Sequence, residues 1–164
     1  MGLTKKKKIG AWITTFNPSA THLMSSLGFK WLCIDMEHST ITFDQMGVLI
    51  STIENNGSIP FVRVGSNEKL HIKKALDAGA KGVIVPMVNT VKDAKNAIDY
   101  SFYPPIGSKG LSPYTRSFEF NPQFLEDKKI SHNKQFKLSL LIEGKEGFKA
   151  LNKILENLNQ NIYM

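Results

Sequence analysis

"GVIVPMV", residues 82–88, runs straight into "NTVKDAKNAIDYSFY", residues 89–103. The first stretch is apolar at successive positions. A strand there is buried on both faces, and such strands belong to parallel sheets covered by helices. The second opens with Thr90, a residue type whose hydroxyl caps helices, and then spaces apolar residues at the helical period. This strand-then-helix step decides the fold class because it recurs on both sides. Upstream, Ile9–Thr14, Lys30–Asp35 and Ile59–Gly65 read as strands. Each leads into a helical stretch. "NPSATHLMSSLG" has Asn17 as cap, Pro18 in its first turn and Gly28 as stop; "TFDQMGVLISTIENNG" stops at Asn55-Asn56-Gly57; "EKLHIKKALDAGA" stops at Gly79. Downstream come the loop "PPIGSKGLSPYTRS", a short helix around Pro122–Ile130, a strand over Phe136–Gly144 and the closing helix "KEGFKALNKILENLN". Five βα steps in strict alternation predict an α/β fold with a parallel sheet and right-handed crossovers.

The bulk numbers suit one domain over residues 1–164. Hydrophobic residues make up 41% and charged residues 21%, so the chain can bury a core. No apolar run reaches the roughly 18–20 residues of a membrane helix, and the stretch after Lys5–Lys8 lacks the form of a secretory signal. Cys33 is the sole cysteine, which excludes an internal disulfide and a cysteine zinc cluster and fits a cytoplasmic location. The net charge is +7, but the lysines are scattered and no aromatic residues are interleaved with them. That pattern argues against nucleic acid as the partner; the Lys5–Lys8 run reads as a solvated lead-in to the first strand.

The ionisable residues gather at predicted strand ends, where α/β sheets and barrels build their sites. "WLCIDMEHST", residues 31–40, delivers Asp35, Glu37 and His38 to one such tip. An imidazole there suits a general base, or merely caps the loop. Arg63 sits between Val62 and Val64 in an apolar strand. It either stabilises a developing oxyanion or forms a buried ion pair with Asp35 or Glu37. Glu143 ends the last strand and serves either as a ligand for a hard cation or as the acidic start of the next helix. Asp77, in "ALDAG", reads by spacing alone as a solvated helix residue. Met24, Met46, Met87 and the phenylalanines read as core. His22, His71 and His132 read as surface.

Taken together, "GFKWLCIDMEHS", "PFVRVG", "IKKALDAGAKGVIVPMVNT", "YPPIGSKG" and "LLIEGKEGFKAL" resemble, in order and over nearly the whole chain, the metal-dependent pyruvate aldolases of the HpcH/HpaI aldolase/citrate lyase family. The resemblance implies a (β/α)8 TIM barrel and cleavage of a 4-hydroxy-2-oxo acid to pyruvate and an aldehyde. It makes His38 the catalytic histidine, Asp77 its dyad partner, Arg63 the residue that holds the keto oxygen and stabilises the enolate, and Glu143 a ligand of Mg2+ or Mn2+. Asp35 and Glu37 form the polar shell around them. The implied partners are a small 2-oxo acid and, as in full-length relatives, further copies of the chain.

Two departures qualify the match. Leu141 stands where the family carries a glutamine, and Ser108-Lys109 stands where it tends to carry a basic pair. About five of the barrel's eight βα units are present. The aspartate expected as second metal ligand on a sixth strand has no counterpart, since no carboxylate side chain follows Glu156. The alternative expectation is therefore a catalytically inactive partial barrel.

Overall fold

The computed structural model describes residues 9–123 and 125–158. The Lys5–Lys8 lead-in and the final Asn159 of the closing helical stretch fall outside these residues. Five strands are present: β1 (Gly10–Ile13), β2 (Trp31–Asp35), β3 (Ile59–Arg63), β4 (Gly82–Val85) and β5 (Lys137–Leu140). They form one parallel sheet in the order β1-β2-β3-β4-β5. The helices are α1 (Pro18–Ser26), α2 (Phe43–Asn55), α3 (Lys69–Asp77), α4 (Val91–Ser101), α5 (Leu125–Gln135) and α6 (Lys145–Glu156), with a 3-10 turn at Arg116–Phe118.

The helix starts follow from capping chemistry. The Asn17 side chain accepts from Ala20 N, and Thr42 and Thr90 each form a reciprocal capping box, with Gln45 and Asp93 respectively. Gly28, Gly57 and Gly79 follow the ends of α1, α2 and α3 at positive φ, as read from the sequence. All five strands are shorter than the sequence reading, β1 by Ile9 and Thr14 and β2 by Lys30. β4 ends at Val85 because Pro86 has no N–H to donate and Met87 turns into the left-handed region at φ 56°. β3 ends at Arg63 and β5 at Leu140. The short helix runs later than expected, over Leu125–Gln135; Asn121 holds a turn by accepting from Gln123 N, and Glu126 pairs with Lys129 one turn along.

Alternation along the strands splits the sheet into two faces. Leu32, Ile34, Val62, Val83, Val85, Leu138 and Leu140 lie under the helices and are buried. The opposite face carries the row Trp12, Cys33, Phe61 and Gly82, paired in register. Two rings lie flat across it. A Cβ on Gly10 would strike the Trp31 ring at 1.9 Å, and one on Gly82 would strike the Phe61 ring at 2.2 Å. Burial pushes the Cys33 thiol on this face up to about 12.

Several core assignments need correcting. Met87 is 54% exposed, and Phe148 and Phe120 are exposed too. Conversely, His132 is no surface residue. It bonds Ser101 O at 2.9 Å, stacks on Phe136 and meets Phe102 and Tyr103 edge-on. His71 is half-buried, bonded to Ser66 Oγ at 2.9 Å and tilted against Phe43.

Candidate active site

The carboxyl ends of β2 and β3 are adjacent, with Asp35 opposite Arg63 in register. Asp35 ends a buried strand, so its carboxylate must be satisfied locally. Its Oδ1 accepts from Glu37 N at 3.0 Å, His38 N at 3.1 Å and Arg63 Nε at 2.9 Å, while Oδ2 takes Arg63 Nη2. Burial alone would raise the Asp35 carboxyl, but these donors outweigh it and hold it below the usual carboxylate range. Asp35 thus folds the loop to His38 and pins the guanidinium in a bidentate fork. Asp35 in turn raises the Arg63 pKa.

Arg63 also reaches Glu37, with Nη1 at 3.0 Å from Oε2. That contact is one of charge, not of alignment, because the buried Glu37 Oε2 has no hydrogen-bond partner among the described residues. The guanidinium carbon stands 4.8 Å from the Trp12 ring centre, a cation–π contact closing the cluster from β1. His38 is 71% exposed, with Nε2 3.7 Å from Glu37 Oε2. The ion-pair reading of Arg63 therefore holds, and the same pair leaves the arginine's side chain 14% exposed at the mouth.

Glu143 lies past the end of β5, and its Oε2 accepts from Met87 N at 2.9 Å. Among the described residues, no three His, Cys, Asp or Glu side chains gather closely enough to hold a metal ion.

Asp77 stands elsewhere. It ends α3, which runs back to the amino end of the sheet, where Lys109 Nζ binds its Oδ1 at 2.9 Å. The Lys109 side chain is 1% exposed and lies 4.8 Å over the Tyr103 ring. One chain therefore brings His38, Glu37, Asp35 and Arg63 together, sets Glu143 at the same end of the sheet, and keeps Asp77 at the other. Trp12, Met87 and Lys109 were missed as partners. Lys109 alone left a trace, as the lysine of a glycine-rich loop; the register of β1 on β2 places Trp12, and the turn after β4 places Met87.

The HpcH/HpaI aldolase/citrate lyase family model matches residues 8–162. A 2-dehydro-3,6-dideoxy-6-sulfogluconate aldolase from Pseudomonas putida is 33% identical over 112 residues, 68% of this chain and 44% of that protein. A 5-keto-4-deoxy-D-glucarate aldolase from Escherichia coli O139:H28 (strain E24377A / ETEC) is 32% identical over 143 residues, 87% of this chain and 55% of that protein. Among solved structures, an HpcH/HpaI aldolase/citrate lyase family protein from Burkholderia cenocepacia J2315 superposes with a TM-score of 0.85 at 28% identity, covering 94% of this chain and 61% of that one. The citrate synthase SbnG superposes with a TM-score of 0.81 at 29% identity, covering 92% and 58%. The chain spans about half the length of the curated relatives it matches. Its sheet is part of an α/β barrel.

Proposed function

Because the chain belongs to the HpcH/HpaI aldolase/citrate lyase family, we propose that it supplies the His38–Arg63–Glu143 part of an aldolase site that cleaves a 4-hydroxy-2-oxo acid to pyruvate and an aldehyde. The observation that supports this reading is the Asp35–Arg63 fork at the mouth of the sheet, with the exposed His38 imidazole on the same loop. His38 takes the proton of the substrate's 4-hydroxyl. The C3–C4 bond then breaks, the aldehyde leaves and the electron pair stays on the pyruvate fragment as its enolate, whose C3 takes up the proton that His38 removed, so that the imidazole is neutral again. Arg63 is held in place by the bidentate Asp35 fork, so it donates to the oxygen on which charge develops without having to reorient. Glu37 keeps His38 and Arg63 at their spacing.

A divalent cation, Mg2+ or Mn2+, belongs to the reading as a Lewis acid, with Glu143 as the ligand this chain offers. Its remaining ligands are not gathered among the described residues. Asp77 enters only between copies, since one chain holds it at the opposite end of the sheet from His38. A homo-oligomer and a cytoplasmic location belong to the same reading. No described helix is long and apolar enough to cross a membrane.

The test is pyruvate release from 4-hydroxy-2-oxo acids with Mn2+, with and without chelator. The chain is assayed alone and mixed with the C-terminal segment of the E. coli relative. Chelator-sensitive release that falls about 10²- to 10⁴-fold in His38→Ala supports the assignment. Absence of release under both conditions supports the inactive alternative.

A further inference from the structure

Glu143 is exposed, yet its carboxylate is not left to swing. Met87 N–H holds Oε2 from the loop after β4, and Met87 reaches it only by adopting φ 56°, a conformation a side-chain-bearing residue rarely takes. Something has to stabilise that peptide. Asn89 Nδ2 donates to Met87 O at 3.2 Å. The other end of the same amide, Oδ1, accepts from Gly147 N at 3.2 Å.

Gly147 lies in the first turn of α6. The N-cap of that helix is Gly144, which has no side chain to cap with. Asn89 therefore caps α6 from a different loop. The packing leaves no room for a substitute. A Cβ on Gly144 would come within 2.8 Å of Asn89 Oδ1, and one on Gly147 within 2.7 Å of Val88 O. Asn89 is itself fixed, its N–H donating to Asp93 Oδ2 in the capping box of α4.

We propose that Asn89 is a positioning residue: its side-chain amide ties the left-handed Met87 peptide to the start of α6 and thereby fixes the Glu143 carboxylate, which leads directly into that helix. The clamp is a geometric claim about this chain. Its use, a carboxylate held at the mouth of the sheet, rests on the aldolase reading.

Hydrogen–deuterium exchange read by mass spectrometry separates the two. In Asn89→Ala, peptides spanning 82–90 and 141–148 exchange about tenfold faster while those across β2 and β3 keep their rates. In Asn89→Asp, the carboxylate still accepts from Gly147 N–H but has nothing to donate to Met87 O. Only the 82–90 peptide then speeds up. Unchanged exchange in Asn89→Ala overturns the clamp, as does uniform acceleration across the sheet. Pyruvate release is measured on the same samples. Local loosening without release from the parent chain keeps the clamp and counts against the aldolase reading. Release that Asn89→Ala leaves untouched despite the loosening overturns the positioning role.

Discussion

The two ends of the sheet treat charge differently. At the carboxyl end, Asp35 is saturated but Arg63 keeps an open side, Glu37 has a buried oxygen without a hydrogen-bond partner among the described residues, and His38 faces solvent. At the amino end the charges are paired off. Lys109 is buried against Asp77 and Tyr103, Glu54 is shared by Lys81 and Arg116, and His132 sits among aromatic rings. In α/β barrels the first kind of end carries chemistry and the second carries stability. The contrast teaches that a titratable residue is informative when its partners leave capacity unused, not merely because it is buried.

Arg63→Ala attacks the contrast hardest. It removes the donor that the aldolase reading assigns to enolate charge and strands Asp35, which is 3% exposed. Turnover should fall about 10²- to 10³-fold, and unfolding free energy by about 3–5 kcal/mol, since a buried carboxylate loses its partner. Steady-state rates and urea titration on one preparation read both. A rate unchanged in the folded fraction would make the fork purely structural.

Lys109→Ala is the matching cut at the other end. It too breaks a buried pair, so a loss of about 3 kcal/mol is expected from denaturant titration. Replacing both partners, Lys109→Met with Asp77→Leu, should recover most of it, because apolar groups of similar volume do without the desolvation cost. Asp77→Asn sharpens the comparison further: a rate loss that appears only in assembled protein would place Asp77 at a neighbouring chain's His38.

His132 gives a pH-dependent test. Burial pushes its imidazole down to about 4, against an ordinary value near 6.5. The folded state thus holds it neutral while the unfolded state protonates first. Its contribution is complete above about pH 6.5 and is lost as pH falls toward 4, by about 2–3 kcal/mol at the bottom of that window. His132→Phe should flatten stability between those pH values. An unchanged slope would show that other groups titrate there.

Much of this was legible in the sequence, because the signals were local. Alternation, Asn17 and Thr90 as caps, and the glycines after α1, α2 and α3 set the order of elements, and local rules of this kind depend on neighbouring residues alone. The cluster of Asp35, Glu37 and His38 was visible for the same reason: one loop carries all three. What stayed hidden depends on residues far apart in sequence. Met87 reads as core until its positive φ is seen. His132 looks solvated until Phe102, Tyr103 and Phe136 close around it. The separation of Asp77 from His38 follows from helix direction, since α3 carries its last residue back to the amino end; similarity of short segments carries no such information.

The smallest effect is expected at Arg116. Its Nη2 reaches Glu54 Oε2 at 2.8 Å, and Lys81 reaches the other oxygen at 3.0 Å. Burial alone would raise the Glu54 carboxyl, but Lys81 and then Arg116 outweigh it and hold it below the usual range. Both partners are well exposed to water, so screening leaves the pair little net worth. Arg116 also carries a cost, a buried Nε with no hydrogen-bond partner among the described residues, and it lies over Gly79, whose φ of 102° excludes a side chain. Arg116→Ala should therefore cost under about 1 kcal/mol at neutral pH, less at high salt. The Glu54 contribution is present above its ordinary carboxylate pKa and fades as pH falls through the depressed folded value, so the variant and parent should converge in acid. Denaturant titrations at neutral and acidic pH, each at low and high salt, measure this. A loss above about 2 kcal/mol that ignores salt would mean the amino-end ion pairs act as one cooperative unit, and the contrast between the two ends would then lie in how they share charge rather than in how they hide it.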